Sequence, residues 1–267
     1  MMKDMQFTHK WVLVTGASSG LGLEMATQLA EQHQANLILV ARREAQLLAL
    51  KQRLEQNFGI QCHVIAADLS LAHDVERVYQ QATQLADIYG VILNAGVTHF
   101  GEHHELAWPD FEKMLALNVT SVVRLLTLFS QYLKDKNQGG GMMVISSMAG
   151  LLPVPYQAAY AGTKAFVTNF AQSLALEQHQ QNLSLTVFSP GGIDTEMTSN
   201  SRLKYFQNTP LLQSVESCAS EGIAAMQARK NLAVSGLLNR QQLFVSRFLP
   251  RQLIGLITRK AYSQAFN

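Results

Sequence analysis

Tyr160 and Lys164 bound the pentapeptide Tyr160-Ala161-Gly162-Thr163-Lys164. A spacing of four sets both side chains on one face of a helix. A phenol ionises near pH ~10 and exchanges protons poorly at neutrality. An ammonium held nearby favours the phenolate, which suits a general acid/base working near neutral pH. Ser147, upstream, adds a hydroxyl. Each residue also has an ordinary reading: a core tyrosine, a turn hydroxyl, a pairing that many helices contain by chance. The surroundings give the pattern its meaning.

Near the N-terminus, Thr15-Gly16-Ala17-Ser18-Ser19-Gly20-Leu21-Gly22 separates an apolar run from an amphipathic one. Glycines there permit a tight turn and close approach of a pyrophosphate, and the following helix offers unpaired N–H groups to its oxygens. Gly16, Ser18, Ser19, Gly20, Leu21 and Gly22 are therefore the candidate cradle of a dinucleotide. The spacing is G-x-x-x-G-x-G rather than G-x-G-x-x-G, which leaves a purely structural turn as the alternative. Placement directly after the first strand favours the cradle.

After the second apolar run, Ala41 stands where an NAD-binding chain holds an acid for the ribose 2′-hydroxyl, and Arg42 and Arg43 follow. A guanidinium fork fits a 2′-phosphate, so NADP(H) is expected over NAD(H). The plainer reading of the two arginines is a solvated helix start. Asp68, beside Leu69, either accepts from the adenine amino group or begins the next helix. Asn94-Ala95-Gly96 ends the fourth strand, where backbone must pass close to the cofactor.

These residues need a scaffold that sets them along one edge. Trp11-Val14, Leu37-Val40, Val64-Ala66, Val91-Leu93, Met142-Ile145 and Leu185-Phe188 read as parallel strands buried on both faces. Leu21-Gln34, Glu44-Phe58, Leu71-Asp87, Trp108-Lys136 and Tyr156-His179 read as helices between them, Ser70 capping the third and Pro109 in the first turn of the fourth. A helix Val215-Arg229 and an edge strand within Asn231-Gly236 follow, and Arg240-Phe266 reads as one or two amphipathic helices broken by Pro250. The alternation predicts a single α/β domain over residues 1–267: an open, doubly wound parallel sheet with helices on both faces.

Composition excludes several classes. Hydrophobic residues make up 48% and charged ones 15%, which implies a large core rather than disorder. A net charge of +2 gives no electrostatic case for nucleic acid. His99, His103 and His104 lack a metal-ligand spacing with cysteine and read as a solvated loop, so no metal is expected. Two cysteines, Cys62 and Cys218, without a signal peptide fit a reducing, cytoplasmic setting.

The order T-G-x-x-x-G-x-G, Asn94-Ala95-Gly96, Asn118, Ser147, Tyr160-x-x-x-Lys164 and Pro190-Gly191 closely resembles the short-chain dehydrogenase/reductase superfamily, from about Trp11 to Thr195. Leu93 departs mildly, standing where many relatives have a second asparagine. The resemblance implies a Rossmann-like fold and a proton-relay tetrad. Tyr160 would exchange a proton with a carbonyl or hydroxyl oxygen, which Ser147 would orient. Lys164 would hold the nicotinamide ribose and bias Tyr160 towards ionisation. Asn118 would use its carboxamide to hold a water feeding protons through Lys164. Pro190, Gly191, Ile193 and Thr195 would contact the nicotinamide amide, with Thr195 also near the phosphates.

A substrate lid is expected over about 195–215, including Met197, Leu203, Tyr205 and Phe206. Met148, Leu152, Val154, Tyr156, Met197 and Phe206 suggest an apolar pocket for a hydrophobic ketone or acyl chain, unless they are ordinary core. The amphipathic extension, about 240–267, carries five basic residues from Arg240 to Lys260. It either lies on a membrane surface, covers the cleft, packs on another subunit, or docks on its own domain. Relatives commonly form dimers or tetramers through the helices carrying Asn118 and Tyr160, and Leu115, Leu125, Leu126 and Phe129 serve either that contact or the sheet. The expected activity is NADP(H)-dependent carbonyl/alcohol interconversion. A non-catalytic dinucleotide sensor or scaffold is the alternative, and 3-oxoacyl reduction is an option within the enzyme reading. A sugar-nucleotide epimerase or dehydratase would need a larger C-terminal domain.

Overall fold

The computed structural model describes residues 2–178, 182–199 and 212–263, with backbone alone for Met197 and Ser199. Alternating elements run β1 (Trp11–Thr15), α1 (Gly20–His33), β2 (Asn36–Ala41), α2 (Glu44–Phe58), β3 (Cys62–Ala66), α3 (Ala72–Leu85) and β4 (Ile88–Leu93). Next come α4 (Trp108–Leu115), a π-helical turn (Ala116–Thr120), α5 (Ser121–Lys136), β5 (Gly141–Ile145), α6 (Ala158–Glu177) and β6 (Ser184–Ser189). The remainder is β7 (Gly192–Ile193), α7 (Glu196–Ser199), β8 (Leu212–Gln213), α8 (Val215–Gln227), β9 (Leu232–Val234), α9 (Leu237–Ser246) and α10 (Arg251–Ser263).

Seven strands form one sheet in the order β3-β2-β1-β4-β5-β6-β9, every pairing parallel. β7 and β8 make a separate two-stranded ladder. Both faces of the central strands are covered, which is why their sequences are almost uninterrupted apolar runs. In β1, Val12 and Val14 join the core under α1, α2 and α8, whereas Leu13 joins the core under α3, α5 and α6. Leu37 and Leu39 against Ile38 and Val40 repeat this division in β2.

Several local expectations change. The long fourth helix is interrupted by the π turn Ala116–Thr120, where one extra residue is taken into the helix and Asn118 is turned into the interior. Ser70 does not cap α3: Leu71 holds that position with no side-chain cap, and the Ser70 hydroxyl donates to Asp68 Oδ1 at 2.7 Å. Tyr156 precedes α6 with φ of 66°, a left-handed conformation for a bulky residue. The segment expected as a lid, 195–215, lies largely outside the described residues, as do Leu203, Tyr205, Phe206 and the side chain of Met197.

Leu125, Leu126 and Phe129 are buried against the sheet, while Leu115 is exposed beside the apolar groove lined by Phe111 and Phe166. The run Trp108–Lys136 is long and apolar enough by length and composition to cross a membrane. Half of its most apolar window is nevertheless buried in the protein, as in a core helix. Phe129→Ala should therefore lower unfolding free energy by about 3–5 kcal/mol without changing particle size. Urea denaturation and light scattering check this, and a change of size without loss of stability would place Phe129 at a subunit contact.

Candidate active site

The cleft opens along the carboxyl ends of the strands, where β1 lies between β2 and β4 and the strand order reverses direction. Its cavity measures about 490 Å³. Every turn singled out in the sequence reaches it, because each follows directly on a strand end.

At the reversal point Thr15 joins two strands. Its Oγ1 accepts the N–H groups of Asn94 and Ala95 at 2.9 and 3.0 Å, and Asn94 Nδ2 donates back to the Thr15 carbonyl at 3.1 Å. Gly16 turns with φ of 67°, and a Cβ there would stand 2.8 Å from Asn94 Nδ2 and 3.0 Å from Ala95 Cα. Gly22 admits the first turn of α1 against the Gly16 carbonyl. Gly16, Ser18, Ser19, Gly20 and Leu21 line the cleft beside Asn94, Ala95 and Gly96. The glycine motif by itself gives Thr15 no such role. The available signal was a hydroxyl ending an otherwise apolar strand.

Arg42, Arg43, Asp68 and Leu69 line the same cleft. The Arg43 guanidinium donates to Ser18 Oγ at 3.1 Å and Ser19 Oγ at 2.6 Å, and pairs with Glu196 at 3.6 Å. Two serines and an arginine thus form one polar cluster at the cleft rim. Burial opposes ionisation of Asp68, but hydrogen bonds from Ser70 and the charges of Arg42 and Lys113 outweigh it and hold the carboxyl below its usual range. Asp74, paired with Arg77 at 2.7 Å, accepts the Asp68 N–H at 2.7 Å and fixes that turn.

At the catalytic end, Ser147 begins a short 3₁₀ turn, its Oγ accepting the Ala149 N–H at 3.1 Å. The neighbouring Ser146 points inward, 2.5 Å from Thr168 Oγ1, and donates to the Lys164 carbonyl at 3.2 Å. Ser146 docks α6 and Ser147 faces the cleft. Ser147 and Tyr160 line the same cleft, and Ser147 acts to lower the Tyr160 pKa.

Lys164 is buried on α6. Its ammonium donates to the Ile145 carbonyl at 2.8 Å and lies 5.7 Å from the Tyr160 ring centroid. Burial brings its pKa down to about 8. Burial also pushes the Tyr160 phenol above its ordinary value, with the Ser147 hydrogen bond opposing and Tyr262 reinforcing the rise. Desolvation is thus the leading influence on both groups.

Asn118 bonds to protein groups through both ends of its carboxamide. Its Oδ1 accepts the Val97 N–H at 2.9 Å, and Nδ2 donates to the Val97 carbonyl at 2.8 Å and Thr163 Oγ1 at 3.2 Å. Both amide protons are committed to protein acceptors. The side chain braces the strand-four loop against α6. Gly96 makes this contact possible, since a Cβ there would lie 3.2 Å from Asn118 Oδ1 and 3.6 Å from Lys164 Nζ.

Pro190, Gly191, Ile193 and Thr195 wall the cleft opposite β4. The Pro190 carbonyl accepts the Met148 N–H at 2.8 Å, tying this wall to the Ser147 turn. Met148, Leu152 and Val154 line the cavity, whereas Tyr156 lies against Phe100, ring centroids 6.5 Å apart. The main addition is the roof: Ile257, Thr258, Ala261 and Tyr262 of α10 close the substrate end. Tyr262 packs edge-on against Phe100 at 5.3 Å, and burial raises its pKa. Of the placements considered for the C-terminal extension, cover over the cleft is realised. Nothing in local sequence tied Tyr262 to Tyr160.

A family model described as short chain dehydrogenase matches residues 10–205. The chain belongs to the short-chain dehydrogenase/reductase family. It is similar to a very-long-chain 3-oxoacyl-CoA reductase of Meyerozyma guilliermondii, 31% identical over 70% of this chain and 54% of that one. The chain thus spans about half the length of that relative and of the corresponding reductase of Candida glabrata. Among solved structures, it resembles a short-chain dehydrogenase from Sphingobium yanoikuyae in complex with NADPH, with a TM-score of 0.80, 26% identity, and 89% and 93% of the two chains covered. A short-chain dehydrogenase/reductase from Burkholderia phymatum in complex with NAD shares the fold, with a TM-score of 0.80, 19% identity, and 90% and 93% covered.

The Lys164 shift has a sign that can be measured. Between about pH 8 and the ordinary lysine value of 10.5, the unfolded chain keeps a proton that the folded chain has lost. Stability from this group therefore rises with pH from about 8, by up to about 1.4 kcal/mol per unit. Above pH 10.0 the raised Tyr160 pKa acts in the opposite sense. Denaturant titrations should show the rise in the wild-type protein and not in Lys164→Met. Parallel pH profiles for the two proteins would contradict the buried ammonium.

Proposed function

We propose that this protein is an NADP(H)-dependent oxidoreductase interconverting a carbonyl and a secondary alcohol on a hydrophobic ketone or acyl substrate. The observation that carries the reading is that Ser147, Tyr160 and Lys164 line the same cleft as the glycine turn. When bound, the nicotinamide supplies or accepts the hydride. The Gly16–Gly22 turn and the first turn of α1 hold the pyrophosphate, and Arg43 with Ser18 and Ser19 holds the 2′-phosphate. One solved neighbour binds NADPH and another NAD, so the cofactor preference rests on these residues. Lys164 holds the ribose hydroxyls.

In the reductive direction Tyr160 gives its proton to the carbonyl oxygen while Ser147 hydrogen-bonds and orients that oxygen. A phenol held protonated suits this direction. The roof and the Pro190–Thr195 wall exclude water from the substrate end. The apolar lining and the yeast 3-oxoacyl-CoA reductase relative support a 3-oxoacyl chain within the hydrophobic carbonyl class. Buried, separate Cys62 and Cys218 fit a reducing, cytoplasmic compartment. The exposed apolar groove between α4 and α6 supports a homo-oligomer.

Tyr160→Phe should lower ketone-dependent NADPH oxidation about 100- to 10,000-fold while cofactor affinity stays within a few fold. Unchanged turnover would remove Tyr160 from the chemistry, and an intact biological effect without turnover would favour a sensor. With NADPH, the reduction rate should hold through neutrality and fall only in the alkaline range as Tyr160 loses its proton. A falling limb near neutrality would restore the lowered-pKa view. Arg43→Ala should weaken NADPH binding about ten- to a hundred-fold and leave NADH nearly unchanged, as calorimetry would read. Equal losses for both cofactors would place the guanidinium elsewhere.

A further inference from the structure

The two C-terminal helices roof the cleft with one side and leave the other uncovered. On α9 none of the residues is buried, Leu237 and Phe244 are exposed, and Phe248, in the turn after it, is exposed at 73%. On α10, Ile254 is buried, whereas Leu253, Leu256 and Ile257 are exposed, Leu256 at 61%. A contiguous set of aromatic and branched side chains on this scale marks an interaction surface rather than ordinary solvent-facing polypeptide.

Charge on the same helices is of one sign. Arg240, Arg247, Arg251, Arg259 and Lys260 are interleaved with the apolar residues, and no acidic residue follows Glu221 in the chain. Arg240 is paired with Glu221 at 3.6 Å. Among the described residues the other four cations have no ion-pair partner. A second copy docked on this face about a two-fold axis would bring like charges together with nothing to neutralise them.

We propose that α9 and α10 form an interfacial docking surface for an anionic lipid bilayer. Phe244, Phe248 and Leu256 enter the boundary between headgroups and acyl chains, and Arg247, Arg251, Arg259 and Lys260 lie among the phosphates. The helices lie in the plane of the membrane and do not cross it.

The consequence for substrate rests on the reductase reading. α10 presents Thr258, Ala261 and Tyr262 to the cavity, and Ile257 both lines the cavity and is exposed, so the substrate mouth opens beside the docking face. A lipophilic carbonyl compound dissolved in the bilayer then reaches Tyr160 without passing through bulk water.

The test sediments the full chain with sucrose-loaded vesicles of phosphatidylcholine alone or phosphatidylcholine mixed with phosphatidylserine. Binding should be at least about ten-fold tighter to the anionic vesicles and should weaken with added salt. Phe244→Ser/Phe248→Ser should reduce that binding about ten-fold, while vesicle-free turnover of a water-soluble ketone stays at the wild-type rate. Two results overturn the proposal: partitioning that ignores lipid charge and the double substitution, or absence of vesicle binding. In the latter case, a dimer dissociated by the same double variant identifies a second copy as the occupant. Failure of every ketone and acyl substrate alongside intact vesicle binding would sink the reductase reading and leave the docking surface standing.

Discussion

A buried ammonium must find an acceptor, and Lys164 finds it in the carbonyl of Ile145, the last residue of β5. That bond sets the rotation and height of α6 on the sheet, and Ser146 reinforces it through Thr168 and the Lys164 carbonyl. Ser147 follows Ile145 by two residues and Tyr160 precedes Lys164 by one helical turn. Fixing the lysine therefore helps to set Ser147 and Tyr160 in the same cleft. Burial costs the lysine part of its basicity, bringing its pKa down to about 8.

The cofactor end is joined to this pair by contacts rather than by proximity in sequence. Thr15 links β1 to Asn94 and Ala95 at the end of β4, and Gly96 lets Asn118 and Lys164 approach the same backbone. Asn118 then ties Val97 to Thr163, one position before Lys164. A contiguous path of hydrogen bonds and close packing thus runs from the glycine turn to the first turns of α6. The π turn belongs to it, since Asn118 sits where the helix takes in its extra residue.

Much of this was legible in the sequence because motifs in a parallel sheet follow strand ends, and the strands are short apolar runs. Arg42–Arg43, Asp68, Asn94–Gly96, Ser147 and Pro190 all line one cleft as expected, and the choice of Ser147 over Ser146 follows the direction each hydroxyl takes. Elsewhere, local sequence pointed the wrong way. Ser70 is a good capping residue, yet Asp68 captures its hydroxyl. Tyr160 and Lys164 suggested a stabilised phenolate from spacing alone, whereas the burial that acts on both pKa values emerges only in three dimensions. Tyr262 lies a hundred residues from Tyr160, with no periodic signal connecting them. The π turn depends on packing against α6, which helix propensity does not encode.

The most direct test is a structure of the protein with NADPH and a non-reactive ketone analogue bound. The Tyr160 hydroxyl should lie within about 3 Å of the ketone oxygen, with Ser147 on the same oxygen, and Lys164 should remain on α6 facing the ribose. A ketone oxygen held by other groups, with the Tyr160 hydroxyl directed away from the nicotinamide face, would contradict the account.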